Sequence, residues 1–433
     1  MSKSNGPSSK PAAPLYQPSL PWRMTSSLVM GLTAALSRGF LYTFNTVEVT
    51  GLDQFLDVLD KRKDVEKREK GLITVSNHIS VLDDPLMWGV LPLRYAFNPS
   101  NFRWGLGAHD ICYKNKALGS FFYCGQVLPT HRGQHSPHGG LFQPTMSHAI
   151  RLLSSPPFIT PRPEGEEGDY SRYDLLPDPF TSGDGLTYTT NGTDRHPAPA
   201  AAPSWPLQQS RNRHAWVHVF PEACVHQHPA ADLRYFKWGV SRLILESEPA
   251  PDVVPVFIDG TQRAMSEDRG FPRFLPRPAG AVRVAFGDLL DAERAFGDLR
   301  ARWRDLVRRS SLRDSGTGSD ADSAPGLPPS PLERKAEEGG EGQAVVTAAA
   351  KGKGKGTVRA MGDLTDELKY GREAVEIRIE CARRVRAEVA KLRRRMGYPE
   401  GEPDFELAET WAGKEPGKDK YKSGVDESLN KRK

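Results

Sequence analysis

The stretch GLITVSNHISVLDD, residues 71–84, decides the fold class, because an apolar run gives way to a polar turn and then to a helical pattern. Leu72 to Ser76 predicts a buried strand, and residues 83–91 predict a helix directly after it. The alternation continues to about residue 290, which is typical of an α/β domain whose sheet is covered by helices. Further strands are predicted at 121–128, 215–220, 253–257 and 282–286, and further helices at 147–154 and 238–246.

Two regions rich in Pro, Gly and Ser interrupt this pattern. Residues 155–212 predict a disordered insertion, and residues 309–362 predict a low-complexity linker with a Gly/Lys repeat. The predicted organisation is a disordered N-terminus (1–23), a membrane-surface helix (24–46), the first part of the folded domain (47–154), the insertion (155–212), the second part of the domain (213–308), the linker (309–362), a basic amphipathic helix (363–397) and a disordered tail (398–433).

The segment 24–46 predicts a helix with one apolar ridge, because large apolar residues recur every four positions. The uncharged stretch between Arg23 and Arg38 has 14 residues, whereas crossing a bilayer takes about 20. A helix lying in the membrane interface fits better; a helix packed on the core is the alternative. The ridge consists of Leu28, Leu32, Leu36, Phe40 and Phe44.

The basic helix at 363–397 also has an apolar stripe at helical spacing, from Val375 to Met396, beside clustered arginines. One interpretation is a second membrane-surface helix whose arginines bind lipid phosphates. The other is a helix packed on the domain.

The composition of the chain argues against nucleic-acid binding, a disulfide framework and a metal site. Lys and Arg (59) exceed Asp and Glu (54) by 5, a mild excess that suits an anionic membrane surface and does not indicate nucleic acid. The four cysteines form no CxxC pair, so neither a zinc ribbon nor a disulfide framework is indicated. Cys224, His226 and His228 lack further ligands nearby, and we expect no metal.

His78 and Asp83 are the candidate catalytic pair. A turn between strand and helix can bring them together, so that the carboxylate fixes the imidazole tautomer and leaves the other nitrogen as a general base. This suits removing a proton from a hydroxyl that attacks an ester. Asp84 is the competing partner. Because on the order of one such spacing arises by chance, the neighbouring blocks must supply the specificity.

Three blocks follow in order. Residues 125–132, GQVLPTHR, place Arg132 after a strand, where its planar fork can hold a phosphate. Residues 219–222, VFPE, end a strand with Glu222, which can accept from glycerol hydroxyls or orient a phosphate-binding cation. Residues 253–256, VVPV, predict an apolar strand that can line an acyl-chain pocket.

Together the four blocks resemble the glycerol-phosphate and lysophospholipid acyltransferase superfamily, whose pattern is His-x4-Asp, Gly-x3-Pro-x2-Arg, Phe-Pro-Glu-Gly and an apolar run around proline. The resemblance covers roughly residues 20–290 outside the insertion and implies a mixed sheet covered by helices. It narrows to the mitochondrial phospholipid–lysophospholipid transacylases through residues 83–89, 107–112 and 236–239.

By this resemblance His78 would be the general base and Asp83 its orienting partner. Arg132, Glu222 and Lys237 would bind the glycerophosphate part of the substrate. Ala223 departs from the pattern, since glycine there would permit a positive φ or a close approach of the backbone to lipid. Alanine at this position therefore affects the shape of the turn and the fit of the headgroup, and leaves the base untouched.

The resemblance further implies a transacylase that needs neither coenzyme A nor another cofactor and acts on cardiolipin, monolysocardiolipin and phosphatidylcholine. It implies a monotopic protein on the inner or outer mitochondrial membrane, facing the intermembrane space. Two alternatives remain open: an acyl-CoA-dependent lysophospholipid acyltransferase, and a membrane-organising protein without catalysis. No protein partner is predicted.

Overall fold

The computed structural model of the chain describes residues 20–132, 136, 139–155, 214–314 and 361–411. Most of the predicted disordered N-terminus, insertion, linker and tail lies outside these residues. The strands are β1 (Asn45–Thr50), β2 (Leu72–Ser76), β3 (Gly105–Ala108), β4 (Val127–Thr130), β5 (Trp216–Val219), β6 (Asp252–Asp259) and β7 (Gly280–Phe286).

Five strands form the main sheet, in the order β1-β7-β6-β2-β5. The pairs β1–β7, β2–β6 and β2–β5 are parallel, and β6–β7 is antiparallel. The strands β3 and β4 form a separate parallel pair, and Trp104 bridges from its edge to Val217 of β5. The predicted mixed α/β sheet covered by helices is confirmed.

Helices cover both faces of this sheet. They are α1 (Leu20–Phe44), α2 (Leu52–Lys61), α3 (Asp83–Gly89), α4 (His109–Cys112), α5 (Lys116–Cys124), α6 (Pro144–Leu153), α7 (Gly239–Glu246), α8 (Thr261–Ala264), α9 (Ala292–Asp314), α10 (Asp366–Tyr370), α11 (Arg372–Arg395) and α12 (Ala408–Trp411), with short 3₁₀ turns at Val65–Lys67, Leu93–Tyr95 and Pro403–Glu406.

The strand β2 lies in the interior of the sheet, and all five of its residues are buried. Successive side chains of a strand point to opposite faces. Ile73 and Val75 accordingly belong to the core beneath α6, α7, α9 and α11, whereas Leu72 belongs to the core beneath α1, α2 and α3. The strand predicted from residues 72–76 therefore joins the two halves of the hydrophobic core.

The strand predicted at 121–128 is wrong over its first half, because residues up to Cys124 belong to α5. The side chain of Asn115 caps this helix by accepting a hydrogen bond from the Leu118 amide at 2.9 Å, and a cap of this kind favours a helix over a strand. The chain turns at Gln126, whose φ is 58°. Only Val127–Thr130 then continues as a strand.

The helix α1 presents its large apolar ridge outward. Small residues such as Gly31, Ala34 and Ser37 are buried on its inner side, while Leu28, Leu32 and Leu36 are exposed. The helix packs on the core, as the alternative predicted, through Met30, Ala34 and Leu41, and Phe40 of the ridge is partly buried against the same core. The placement of the exposed leucines in a membrane interface stays a prediction. Among the residues described, no helix combines the length and apolarity needed to cross a bilayer.

The basic helix α11 packs on the domain, as one of its two interpretations predicted. Its apolar stripe is buried at Ile377, Val385 and Val389. Its arginines are largely used internally: Arg384 pairs with Asp298, and others donate to backbone carbonyls of the domain. The interpretation in which these arginines bind lipid phosphates is therefore not favoured.

The first part of the predicted disordered tail instead packs on the loop after β5. The ring of Phe405 lies 5.6 Å from that of His228, and Trp411 lies 5.3 Å from His226. These two aromatic side chains give residues 398–411 apolar contacts that their mostly polar sequence does not reveal.

Candidate active site

The end of β2 is fastened to its neighbour β6 by one side chain. Asn77 donates its amide Nδ2–H to the Ile258 carbonyl at 2.9 Å, and its Oδ1 accepts from the Ile258 amide at 2.8 Å. Because the carboxyl ends of parallel strands meet at one edge of a sheet, this places the following turn beside the residues after β6.

His78 and Asp83 are joined across that turn. The imidazole Nδ1 lies 2.9 Å from Oδ2 of Asp83. The same oxygen accepts from the backbone amides of Ile79 at 2.6 Å and Ser80 at 2.8 Å, while Oδ1 accepts from the Thr261 hydroxyl at 2.5 Å. With its proton on Nδ1, His78 has Nε2 available as a base.

Asp84 is directed elsewhere, although it is the next residue. Its Oδ1 accepts from the indole N–H of Trp88 at 3.0 Å, and its Oδ2 forms a salt bridge with the Arg103 guanidinium. Of the two carboxylates that the sequence offered, Asp83 is thus the one that contacts the imidazole.

Glu222 holds the backbone of the base from the other side. Its side chain is buried, and Oε1 accepts from the His78 amide at 3.1 Å while Oε2 accepts from the Arg234 amide at 3.2 Å. The His226 amide donates to the His78 carbonyl at 2.8 Å. The side-chain oxygens of Glu222 thus accept backbone amides of the protein. That Glu222 contacts the substrate glycerol stays a prediction.

Burial has an electrostatic consequence for Glu222. It raises the pKa of this carboxyl to about 7, and the amides of Arg234 and His78 offset part of that rise. Hydrogen bonds from backbone amides stabilise the charged form, whereas removal from water destabilises it.

One face of the His78 ring is covered by Phe220, whose ring centroid lies 4.3 Å away at an interplanar angle of 26°. Beneath it His218 is buried and hydrogen-bonds to Thr74 at 2.9 Å. Burial lowers the pKa of His218 well below its ordinary value, so this second histidine is neutral and structural. The imidazole of His78 is itself partly exposed.

The predicted phosphate contacts lie on other elements. Arg132 follows β4 and is engaged with the Asp110 carboxylate, to which its Nε–H donates at 3.0 Å and its Nη2 also donates. Lys237 is exposed before α7, and its backbone amide donates to the Pro221 carbonyl at 2.9 Å. That Arg132 and Lys237 bind phosphate stays a prediction.

Thr261 and Phe220 are the site residues that sequence reasoning missed. Thr261 begins α8, two residues after the end of β6, the parallel neighbour of β2. A polar residue at that point of an adjacent strand was the available signal. Phe220 lay within a quoted block, but its contact with the imidazole depends on how β5 and β2 align.

Ala223 adopts a φ of 56° on the surface of the turn after Pro221. Its amide donates to the Phe220 carbonyl at 3.0 Å. The turn therefore has the positive φ for which glycine is suited, and alanine occupies it at a cost of roughly 1–2 kcal/mol.

No family model matches the chain. It is 32% identical over 402 residues to tafazzin of Saccharomyces cerevisiae, covering 90% of this chain and 83% of that protein. It is 29% identical to taffazin of Dictyostelium discoideum, covering 52% and 57%, and 28% identical to N-acylphosphatidylethanolamine synthase of Arabidopsis thaliana, covering 52% and 59%.

Among solved structures, the chain is similar to the 1-acyl-sn-glycerophosphate acyltransferase of Thermotoga maritima, at 14% identity and a TM-score of 0.33. The similarity covers 68% of this chain and 83% of that one.

The neighbouring aspartates allow a matched test of the pair. Asp83→Asn keeps the size of the side chain but presents an amide where the carboxylate accepts from the imidazole, so the rate of acyl transfer should fall by about 100-fold or more. Asp84→Asn should stay within about tenfold of the wild-type rate, since it does not contact the base. Equal losses in the two variants would contradict this assignment.

Ala223→Gly tests the strain in the turn. Relief of the positive φ should raise the free energy of unfolding by about 1 kcal/mol in chemical denaturation, after the entropic cost of glycine is subtracted. Ala387→Gly, at an exposed position of α11, should lower it by about 1 kcal/mol. A loss of stability in both variants would mean that Ala223 is not strained.

Proposed function

The chain belongs to the tafazzin family and is a phospholipid acyltransferase, and from this premise we propose that it transfers acyl chains directly between phospholipids and lysophospholipids. We propose further that it remodels cardiolipin from monolysocardiolipin and needs no coenzyme A. The observation that carries the proposal is the His78 imidazole held by a fully buried carboxylate beside a partly exposed surface.

The reaction begins when Nε2 of His78 accepts the proton of a lysophospholipid hydroxyl. The hydroxyl oxygen attacks an acyl ester carbonyl of the donor phospholipid and forms a tetrahedral intermediate. When the intermediate collapses, the ester bond to the donor glycerol breaks and the departing oxygen takes the proton back from His78. The charge on the imidazolium is stabilised meanwhile by Asp83.

This exchange breaks one ester and forms another, so acyl transfer between similar alcohols requires no activated thioester. One base suffices, because it returns the proton that it removed. Rigid placement of the imidazole favours such a step, and here the ring is fixed by Asp83 and Phe220 while its backbone is held by Glu222.

Headgroup binding is assigned in this proposal to Arg132 and Lys237. The Nε and Nη2 donors of Arg132 form a two-point contact with the Asp110 carboxylate. A lipid phosphate would be held in the same manner by taking the place of that carboxylate. Cardiolipin and monolysocardiolipin each carry two phosphates, which suits two separated cations.

We place the protein on the inner or outer mitochondrial membrane, facing the intermembrane space, as a monotopic protein. The exposed ridge of Leu28, Leu32 and Leu36 on α1 supports attachment to one leaflet.

The test is to incubate the purified protein with monolysocardiolipin and phosphatidylcholine labelled in its acyl chain, without coenzyme A. Label should appear in cardiolipin, and an equal amount of lysophosphatidylcholine should form. A parallel reaction with lysophosphatidylcholine as the acceptor measures the preference for cardiolipin. Transfer that requires added acyl-CoA would contradict the transacylase and select the acyl-CoA-dependent alternative.

A further inference from the structure

The loop between α8 and β7 carries two highly exposed aromatic side chains. Phe271 is 91% exposed and Phe274 is 79% exposed, more than any other large apolar side chain of the described residues, and Leu275 beside them is exposed as well. Keeping such surface in water is unfavourable. The exposed cluster of Phe271, Phe274 and Leu275 is here called the loop tip.

The loop that presents this tip is held in shape by arginines. Arg269 donates from Nε to the Arg273 carbonyl at 2.6 Å. Arg273 in turn donates to the Glu267 carbonyl at 2.9 Å, and Arg277 donates to the Gly270 carbonyl at 2.9 Å. Hydrogen bonds thus hold the backbone on both sides of Phe271, and the aromatic rings remain directed away from the domain.

The same arginines give the tip a positive charge. From residue 269 to residue 279 the charged residues are three arginines, and the acidic Glu267 and Asp268 come before them. Within the described ranges, none of the three forms a salt bridge with a carboxylate, whereas α11 directs Arg384 and Arg393 to Asp298 and Asp232. Cations beside exposed aromatic rings match the chemistry of an anionic membrane surface.

The loop also connects the turn that carries His78 with the end of helix α1. At its start, Gln227 accepts from the Glu267 amide at 3.2 Å and donates to the Ile79 carbonyl at 3.0 Å, next to His78. At its end, the Ala279 amide donates at 2.6 Å to Asn45, the residue that follows α1. The loop therefore links the turn of the base to the end of the helix with the exposed leucine ridge.

We propose that residues 269–277 form a second membrane-binding element, which inserts Phe271 and Phe274 among the lipids and binds phosphates through its arginines. It holds the His78 turn at the bilayer surface, where a lipid ester can reach it. Only this consequence for catalysis rests on the proposed function; membrane binding by the loop is a separate property.

Binding is measured by sedimenting the full chain with vesicles of phosphatidylcholine and phosphatidylglycerol. Phe271→Ser with Phe274→Ser should weaken binding by about tenfold, since two aromatic rings leave the interface. Arg273→Gln with Arg277→Gln should weaken it by a similar factor of about ten on these vesicles, and the loss should shrink at high salt or with phosphatidylcholine alone.

The matched controls are Ile379→Ser and Arg302→Gln, exposed positions on α11 and α9, and both should bind like the wild type. The thermal unfolding midpoint of every variant is compared with that of the wild type. One double variant removes aromatic rings and the other removes positive charges. Weaker vesicle binding with an unchanged midpoint in either double variant therefore supports membrane binding by the loop. Unchanged binding in both, or equal loss in the controls, overturns the proposal, as does a change in oligomeric state without a change in binding. A protein that binds as described but transfers no acyl chain would instead contradict the proposed function.

Discussion

The hydrogen bonds to the buried carboxylate of Asp83 are the interaction on which this structure depends. A carboxylate withdrawn from water is strongly destabilising unless donors surround it. Four donors do so here: the His78 ring, the amides of Ile79 and Ser80, and the Thr261 hydroxyl. Through them one side chain fixes the turn after β2, the start of α3 and the start of α8.

Glu222 provides the complementary constraint from the loop after β5. It accepts from the His78 amide, so the base is held through its ring by one acid and through its backbone by another. Burial brings the pKa of Glu222 to about 7, so near neutral pH the charged and the protonated forms of this second acid are comparably populated. The burial of this acid lowers the stability of the fold but orients the base, a compromise that is common at active sites.

The sequence predicted what depends on local pattern and missed what depends on burial. The strand 72–76 and the helix after it follow from periodicity, and the pairing of His78 with Asp83 follows from the ordered blocks that resemble the acyltransferase superfamily. The burial of Glu222 and its hydrogen bonds to the His78 and Arg234 amides could not be predicted in this way. A motif gives the order of residues but does not show which side chains of a turn face water. The arginines of α11 were ambiguous for the same reason. Residues 121–124 were misassigned because aromatic residues favour strands, whereas the cap at Asn115 determined a helix.

The most direct test of the central claim, that His78 is the base, is His78→Gln. The substitution removes the base at a partly exposed side chain and leaves the Asp83 and Glu222 contacts with the backbone in place. Acyl transfer from phosphatidylcholine to monolysocardiolipin by the purified protein should fall about a thousandfold, with unchanged unfolding midpoint and vesicle binding. A folded, membrane-bound His78→Gln protein that retains transfer within tenfold of the wild type would contradict the account.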